Sequence, residues 1–128
     1  MLLAGKSVMS ADEPMQKIDI VYFANAIRNP REELLTEVKR LRMLRTIDPK
    51  RYNQLKRNLP YITCGIFSPP FRRTENFAWI QHFIIDIDHL SQKGFDAISL
   101  KQKLAADTRI VLMFVSPGND GLKIVFCL

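Results

Sequence analysis

Hydrophobic residues follow two spacings along the chain, one typical of strands and the other of helices. Runs of β-branched and aromatic residues predict five strands, at residues 18–23, 61–67, 80–87, 110–115 and 122–127. Apolar residues three or four positions apart predict three helices, one through residues 34–44 and two at residues 49–58 and 95–107. Residues 1–16 show no clear period and are interpreted as a loose leader, which leaves residues 17–128 for the folded domain.

Helix-start signals divide the first helical region into two parts. Asn29 is a candidate cap before Pro30, and Glu32 stands where it can complete a capping box. Asp48 and Pro49 repeat the pattern and start a second, shorter helix. The order of elements predicts an α+β fold, an α/β two-layer arrangement in which helices pack on a mixed, mostly antiparallel sheet.

Composition and length bound the class of protein. The 128 residues are 47% hydrophobic and 25% charged, an ordinary composition for one globular domain. The longest apolar run, Ile110 to Val115, is far shorter than the roughly 20 residues of a membrane helix. The first residues hold no basic cluster followed by a long apolar stretch, so no secretory signal is expected. Two cysteines without an export signal favour a cytoplasmic location, and no membrane partner is expected.

Positive charge is concentrated in the two predicted helices of the first half. The chain has a net charge of +6, whereas residues 39–57 hold eight Lys or Arg and a single acid, Asp48. One interpretation is a solvated helix face, and the other is a surface that binds the phosphates of a nucleic acid. The candidate nucleic-acid contacts are Arg42, Arg45, Arg51, Arg57 and, in a later basic loop, Arg72.

The segment 83–89 carries the sharpest chemical signal. Strand side chains alternate between faces, so Asp86 and Asp88 lie on one face of an apolar strand, about 7 Å apart at the backbone. Carboxylate oxygens in that arrangement suit Mg²⁺ or Mn²⁺. The alternative is a strand end that emerges into water with both acids merely exposed. By the same alternation His82 is in register with the acids, whereas His89 faces away from them.

A second signal lies between the last two predicted strands. Gly and Asn tolerate positive φ and let backbone N–H groups converge, a geometry that cradles phosphate. Ser116, Asn119 and Gly121 are the candidate contacts, and Lys123 places a cation at the base of the loop. An ordinary hairpin turn has a similar composition, but the presence of the acidic strand favours a phosphate site.

These two segments together resemble a known family. Residues 83–90 (FIIDIDHL) and 114–123 (FVSPGNDGLK) are similar to the archaeo-eukaryotic primase superfamily. The similarity is to primase-polymerase domains of bacterial mobile elements and defence loci, including the BT4734-like/VirE N-terminal group. Segments between residues 58 and 73 resemble the same group, and within it they favour the CRISPR-associated primase-polymerases. The resemblance spans roughly residues 18–128.

The resemblance implies a metal-dependent nucleotidyltransferase, a DNA primase or polymerase. Asp86 and Asp88 would be the catalytic metal ligands, for Mg²⁺ or Mn²⁺, and the partners would be nucleoside triphosphates and a DNA or RNA template. Arg73, in the basic loop before the acidic strand, is a candidate nucleotide contact. The family has a third acid on a later strand, so a further C-terminal segment after Leu128 is expected, with residues 17–128 as the N-terminal part of the domain.

The phosphate-binding motif of the family matches in part. Gly121 and Lys123 follow the pattern of the mobile-element group, whereas Gly118 and Asn119 stand where Ser and Gly are usual. Ser116 or Asn119 would then replace the missing serine contact. Two other functions remain open, a nucleic-acid-binding module without chemistry and a metal-dependent nuclease.

Overall fold

The structure, a computed structural model, describes residues 1–128. Four helices run over Ile20–Arg28 (α1), Glu32–Ile47 (α2), Pro49–Lys56 (α3) and Ala97–Leu104 (α4). Eight strands run over Leu2–Gly5 (β1), Gln16–Ile18 (β2), Tyr61–Thr63 (β3), Gly65–Phe67 (β4), Phe77–Ile80 (β5), His82–Ile87 (β6), Ile110–Val115 (β7) and Leu122–Cys127 (β8). Single 3-10 turns lie at Thr74–Asn76 and Ser91–Lys93.

Three small antiparallel sheets hold the strands. Their strand orders are β2-β1-β3, β4-β5 and β6-β8-β7. The third sheet positions the candidate site, because it contains the acidic strand β6 and both strands that flank the predicted phosphate loop. The predicted α+β class is confirmed, and β7 and β8 have the predicted bounds. None of the helices has the length and apolar character that crossing a membrane requires.

The predicted strand at 18–23 is wrong, because a helix occupies most of it. Asp19 has an extended backbone, and its side chain accepts a hydrogen bond from the Tyr22 backbone N–H at 2.7 Å. This cap satisfies a free donor of the first helical turn and favours α1 over a continued strand. Only Ile18 remains in a strand, at the end of β2.

The interpretation of residues 1–16 as a loose leader is wrong for β1. This strand lies at the centre of its sheet, between β2 and β3. Leu2 and Leu3 are fully buried, and Leu3 packs with Met15 and Ile66 in a small core. Burying a leucine side chain contributes about 1.5–3 kcal/mol, so β1 ties the start of the chain firmly to its middle.

One helix start differs from the prediction and the next agrees with it. Helix α2 begins at Glu32 without a side-chain cap. Asn29 instead ends α1, where its backbone N–H donates to the Asn25 carbonyl oxygen at 2.9 Å. Asp48 caps α3 as predicted, since its side chain accepts from the Arg51 backbone N–H at 3.2 Å.

The two predicted strands in the middle of the chain are each divided. Residues 61–67 separate into β3 and β4, which belong to different sheets. At the break, Thr63 Oγ1 donates to the Gly65 carbonyl oxygen at 2.6 Å. Residues 80–87 span the end of β5 and all of β6. The short strands let the chain move from one sheet to the next.

One face of the third sheet forms the larger core. The antiparallel register places Ile87 opposite Leu122, and Ile124 lies on the same face. Leu122 and Ile124 pack in one buried cluster with Leu90 and with Ala97 of α4. This packing fixes β6 against β8 and therefore fixes which polar residues meet on the other face.

The opposite face of the third sheet carries the polar candidates. Asp86 and Phe114 both lie opposite Lys123, one on each neighbouring strand. Phe23 of α1 packs edge-to-face on Phe114, with ring centroids 5.5 Å apart. Helix α1 therefore covers this face beside the candidate site.

Candidate functional site

The register of β6 against β8 brings the two chemically marked segments together. Asp86 and Lys123 are directly opposite partners, and Lys123 Nζ lies 2.6 Å from Asp86 Oδ2. The side chains are 40% exposed for Asp86 and 29% exposed for Lys123. Water screens such a pair, which contributes at most about 1 kcal/mol to stability. Both groups are therefore open to a ligand at low cost.

Asp88 lies just past the end of β6, beside the bare Cα of Gly121. A Cβ on Gly121 would lie 3.2 Å from Asp88 Oδ1, 2.9 Å from Ser116 Oγ and 3.0 Å from the Ile87 carbonyl oxygen. The carboxylate and the hydroxyl thus converge on a space that only glycine leaves open. Asp88 accepts a hydrogen bond only through its carbonyl oxygen, from Lys93 Nζ at 3.0 Å, so its carboxylate has no protein donor.

The two acids fit a hard divalent cation that keeps other ligands. Asp86 uses Oδ2 for Lys123, which leaves its other oxygen and both carboxylate oxygens of Asp88 without a donor. No cluster of three His, Cys, Asp or Glu exists that could hold a metal by itself. Mg²⁺ commonly binds one or two carboxylates and completes its shell with water and phosphate oxygens. The donor set therefore suits a cation whose shell is completed by a phosphate ligand.

A tight turn joins β7 to β8. Ser116 N donates to Gly121 O at 3.0 Å, and Asn119 N donates to Ser116 O at 2.9 Å. Asn119 has a φ of 65°, in the left-handed region that asparagine tolerates. The backbone N–H groups of Gly118, Asp120 and Gly121 donate to no protein acceptor. These three donors of the turn are therefore unpaired, although Gly118 and Gly121 are themselves buried.

Asp120 anchors this turn to the segment after β6. Its carboxylate accepts from Ser91 N at 2.9 Å and from Ser91 Oγ at 2.8 Å, and its carbonyl oxygen accepts from Leu90 N at 2.9 Å. Arg45 donates to the same carboxylate at 2.8 Å. The hydrogen bonds from Ser91, together with the Arg45 guanidinium, hold the pKa of Asp120 below its usual value. The sequence had indicated no role for this residue.

Two of the predicted nucleic-acid contacts bind the turn. Arg42 Nε donates to Pro117 O at 3.1 Å, and Arg45 Nη1 donates to Gly118 O at 3.0 Å. Tyr52 of α3 also lies against Gly118. Helices α2 and α3 therefore brace the turn, and each guanidinium group has at least one protein acceptor.

The basic loop before β5 lies apart from the two acids. Arg72 donates to the Val8 carbonyl oxygen at 3.0 Å, and its guanidinium lies 5.1 Å from the centre of the Tyr61 ring. Arg73 pairs with Asp12 at 3.4 Å. Neither arginine contacts the acids of β6, so their predicted roles in binding nucleotide or nucleic acid remain predictions.

His82 is in register with the acids but lies at the other end of β6. It is opposite Cys127 and only 5% exposed. Asp86 is four positions further along the strand, about 13 Å away along the backbone. His82 therefore belongs to the packing of the sheet, and His89, which has a φ of 55°, is exposed at the turn after β6.

Acidification is expected to destabilise the protein through His82. Its Nδ1 is buried without a partner, and burial, followed by the charge of the amino terminus, lowers the pKa of the imidazole below 6.5. The unfolded chain then takes up the proton first, so the free energy of unfolding falls from about pH 6.5 down to the lowered pKa. Thermal unfolding at several pH values measures this slope. His82→Gln should remove it, and an unchanged slope in that variant would contradict the assignment.

Comparison with known proteins places the chain in a family. Residues 54–128 match the family described as BT4734-like, N-terminal domain. The match covers more than half of the chain and includes β3 to β8, and with them both acids and the turn. No curated protein and no solved structure matches the chain. The chain belongs to the BT4734-like N-terminal domain family.

Proposed function

We propose that the chain supplies the metal- and triphosphate-binding part of a nucleotidyl-transfer site, of the kind that DNA primases and polymerases use. The supporting observation is the 2.6 Å contact between Lys123 and Asp86, with Asp88 beside Gly121 at the end of the same strand pair. An acid pair and a turn with free N–H donors thus share one end of the sheet. The resemblance of this family to primase-polymerases favours a bacterial mobile element or a CRISPR-associated defence system as the setting.

Each part of the site has a chemical role in this proposal. Asp86 and Asp88 would hold Mg²⁺ or Mn²⁺, which when bound neutralises phosphate charge and activates the attacking hydroxyl. Lys123 would donate through its ammonium to triphosphate oxygens while it remains next to the Asp86 carboxylate. The three free N–H groups of the turn donate to the remaining phosphate oxygens. The growing strand would be paired with a DNA or RNA template.

Nucleoside triphosphate binding that requires a divalent cation is the expected result. Labelled ATP and labelled dATP are titrated with the chain in Mn²⁺ and, separately, in EDTA. The affinity should fall at least about tenfold in EDTA, because the cation bridges the carboxylates and the phosphates. Extension of a labelled primer on a DNA template is the second measurement. Equal triphosphate affinity in Mn²⁺ and EDTA would contradict the proposal.

A nucleic-acid-binding module without chemistry is the second candidate, and the basic helices favour it. Of the eight Lys or Arg in residues 39–57, only Arg45 forms an ion pair. Arg51 and Arg57 are exposed, and their side chains make no hydrogen bond, so they are free to contact phosphates. Salt-sensitive DNA binding in EDTA, without any triphosphate binding, is the outcome that favours this candidate.

A further inference from the structure

A single guanidinium holds two points of the turn between β7 and β8. Arg45 Nη1 donates to Gly118 O at 3.0 Å, while Nη2 donates to Asp120 Oδ2 at 2.8 Å. The Asp120 carboxylate is also held by two hydrogen bonds from Ser91. We call Arg45 and Asp120 the clamp. It connects α2, the turn and the segment after β6, three parts of the chain that are distant in sequence.

We propose that the clamp positions the turn for a triphosphate, an inference that rests on the proposed function. Arg45 and Asp120 make no ion pair or hydrogen bond with Asp86, Asp88 or Lys123. They are positioning residues, which act through the backbone of the turn. Their proposed effect is selectivity for a ligand with several phosphates over a ligand with one.

Geometry is the first reason for this effect. A guanidinium is a planar fork, so its two bonds fix the Gly118 carbonyl and the Asp120 carboxylate relative to each other. The unpaired N–H groups of the turn belong to the two residues that Arg45 holds, Gly118 and Asp120, and to the next residue, Gly121. A turn held in place before the ligand arrives loses less conformational entropy on binding. Several donors must keep their spacing to match several phosphates, whereas one phosphate needs only local contacts.

Charge is the second reason. The Asp120 side chain is only 15% exposed, and its other donors, the Ser91 N–H and hydroxyl, are neutral. Without Arg45 the carboxylate would remain negative beside the anion-binding donors of the turn and would repel phosphate oxygens. This repulsion grows with the charge of the ligand, so it weakens triphosphate binding more than monophosphate binding.

The test compares a triphosphate with its monophosphate on the full chain. The probe is whichever of ATP and dATP binds the wild-type chain more tightly, together with AMP or dAMP, in Mn²⁺. Arg45→Ala should lower the ratio of triphosphate to monophosphate affinity about tenfold, because small displacements of positioned donors are costly. Arg45→Lys, which keeps the charge but loses the fork, should lower it less. A merely structural role would lower both affinities together and leave the ratio unchanged.

Control variants separate the clamp from the proposed function. Arg31→Ala removes the same charge just before α2, at a side chain that makes no hydrogen bond, and should leave the ratio unchanged. An unchanged ratio in Arg45→Ala, or in Arg45→Lys if the alanine variant does not fold, overturns the clamp while the proposed function stands. Absence of Mn²⁺-dependent triphosphate binding in the wild-type chain overturns both.

Discussion

Asp86→Asn is expected to abolish metal-dependent triphosphate binding and any primer extension by the site. The substitution removes one of two negative charges available to a divalent cation. It can also turn an amide NH₂ towards Lys123 Nζ, which now lies 2.6 Å from a carboxylate oxygen. Replacing groups that only support metal ligands costs 10–100-fold in metal affinity, so loss of a direct ligand should cost at least about a hundredfold. Titration of Mn²⁺ and of labelled triphosphate measures the loss.

Asp12→Asn is the matched control for this substitution. Asp12 is also an acid paired with a cation, Arg73 at 3.4 Å, but its side chain is 97% exposed and lies away from β6. The control changes the net charge equally and should leave triphosphate affinity unchanged. Because the Asp86 pair is screened by water, both variants should unfold within about 1 kcal/mol of the wild type. Triphosphate affinity in Asp86→Asn that equals the control would exclude the acids as metal ligands.

Local signals predicted the elements whose boundaries are decided locally. The sequence of β7 is a six-residue apolar run that ends at a segment rich in Gly, Pro, Asn and Asp. The structure has the strand and the turn that these two features predict. Helix α3 begins where Asp48 and Pro49 start it, because a cap and a proline act within one helical turn. In such places the sequence neighbours are also the spatial neighbours.

Two kinds of element were predicted poorly: those in which local signals for helix and strand conflict, and those that depend on residues far along the chain. Residues 20–23 suit a strand by composition, but they form a helix that Asp19 caps and that packs on the third sheet through Phe23. Leu2 and Leu3 lie in a short segment with no period, and their burial depends on pairing with β3, far along the chain. No window of neighbouring residues contains that partner.

The candidate site also combines features that depend on neighbouring residues with features that depend on residues far along the chain. Side-chain alternation needs only the strand itself and predicts that Asp86 and Asp88 share a face, but β6 ends at Ile87, so for Asp88 this stays a prediction. The contact between Asp86 and Lys123 depends on the register of β6 against β8, which the whole core fixes. The pairing of Arg45 with Asp120 joins residues 75 positions apart. A cation on a helix looks the same in sequence whether it faces water or a turn, so the clamp could not be predicted.

Gly121→Ala is expected to weaken triphosphate binding and to destabilise the fold through a steric clash. The added Cβ would lie 2.9 Å from Ser116 Oγ, 3.0 Å from the Ile87 carbonyl oxygen and 3.2 Å from Asp88 Oδ1. The serine and aspartate side chains can rotate, but the carbonyl belongs to β6 and can move only with the strand. Overpacking of this kind costs about 1–3 kcal/mol. The lower entropy of an unfolded chain with alanine returns about 0.4–1 kcal/mol, so a net loss remains.

Gly94→Ala separates this clash from the general effect of replacing a glycine. Gly94 has a φ of 77°, and a Cβ there would meet no atom within 4 Å. Its expected cost is about 1 kcal/mol of backbone strain, with triphosphate affinity unchanged. Gly121 has no positive φ, so its cost arises only from the atoms that crowd it. Chemical denaturation and triphosphate titration of both variants measure the difference. If Gly121→Ala bound triphosphate as tightly as Gly94→Ala, the space between Asp88 and the turn would not be part of the phosphate site.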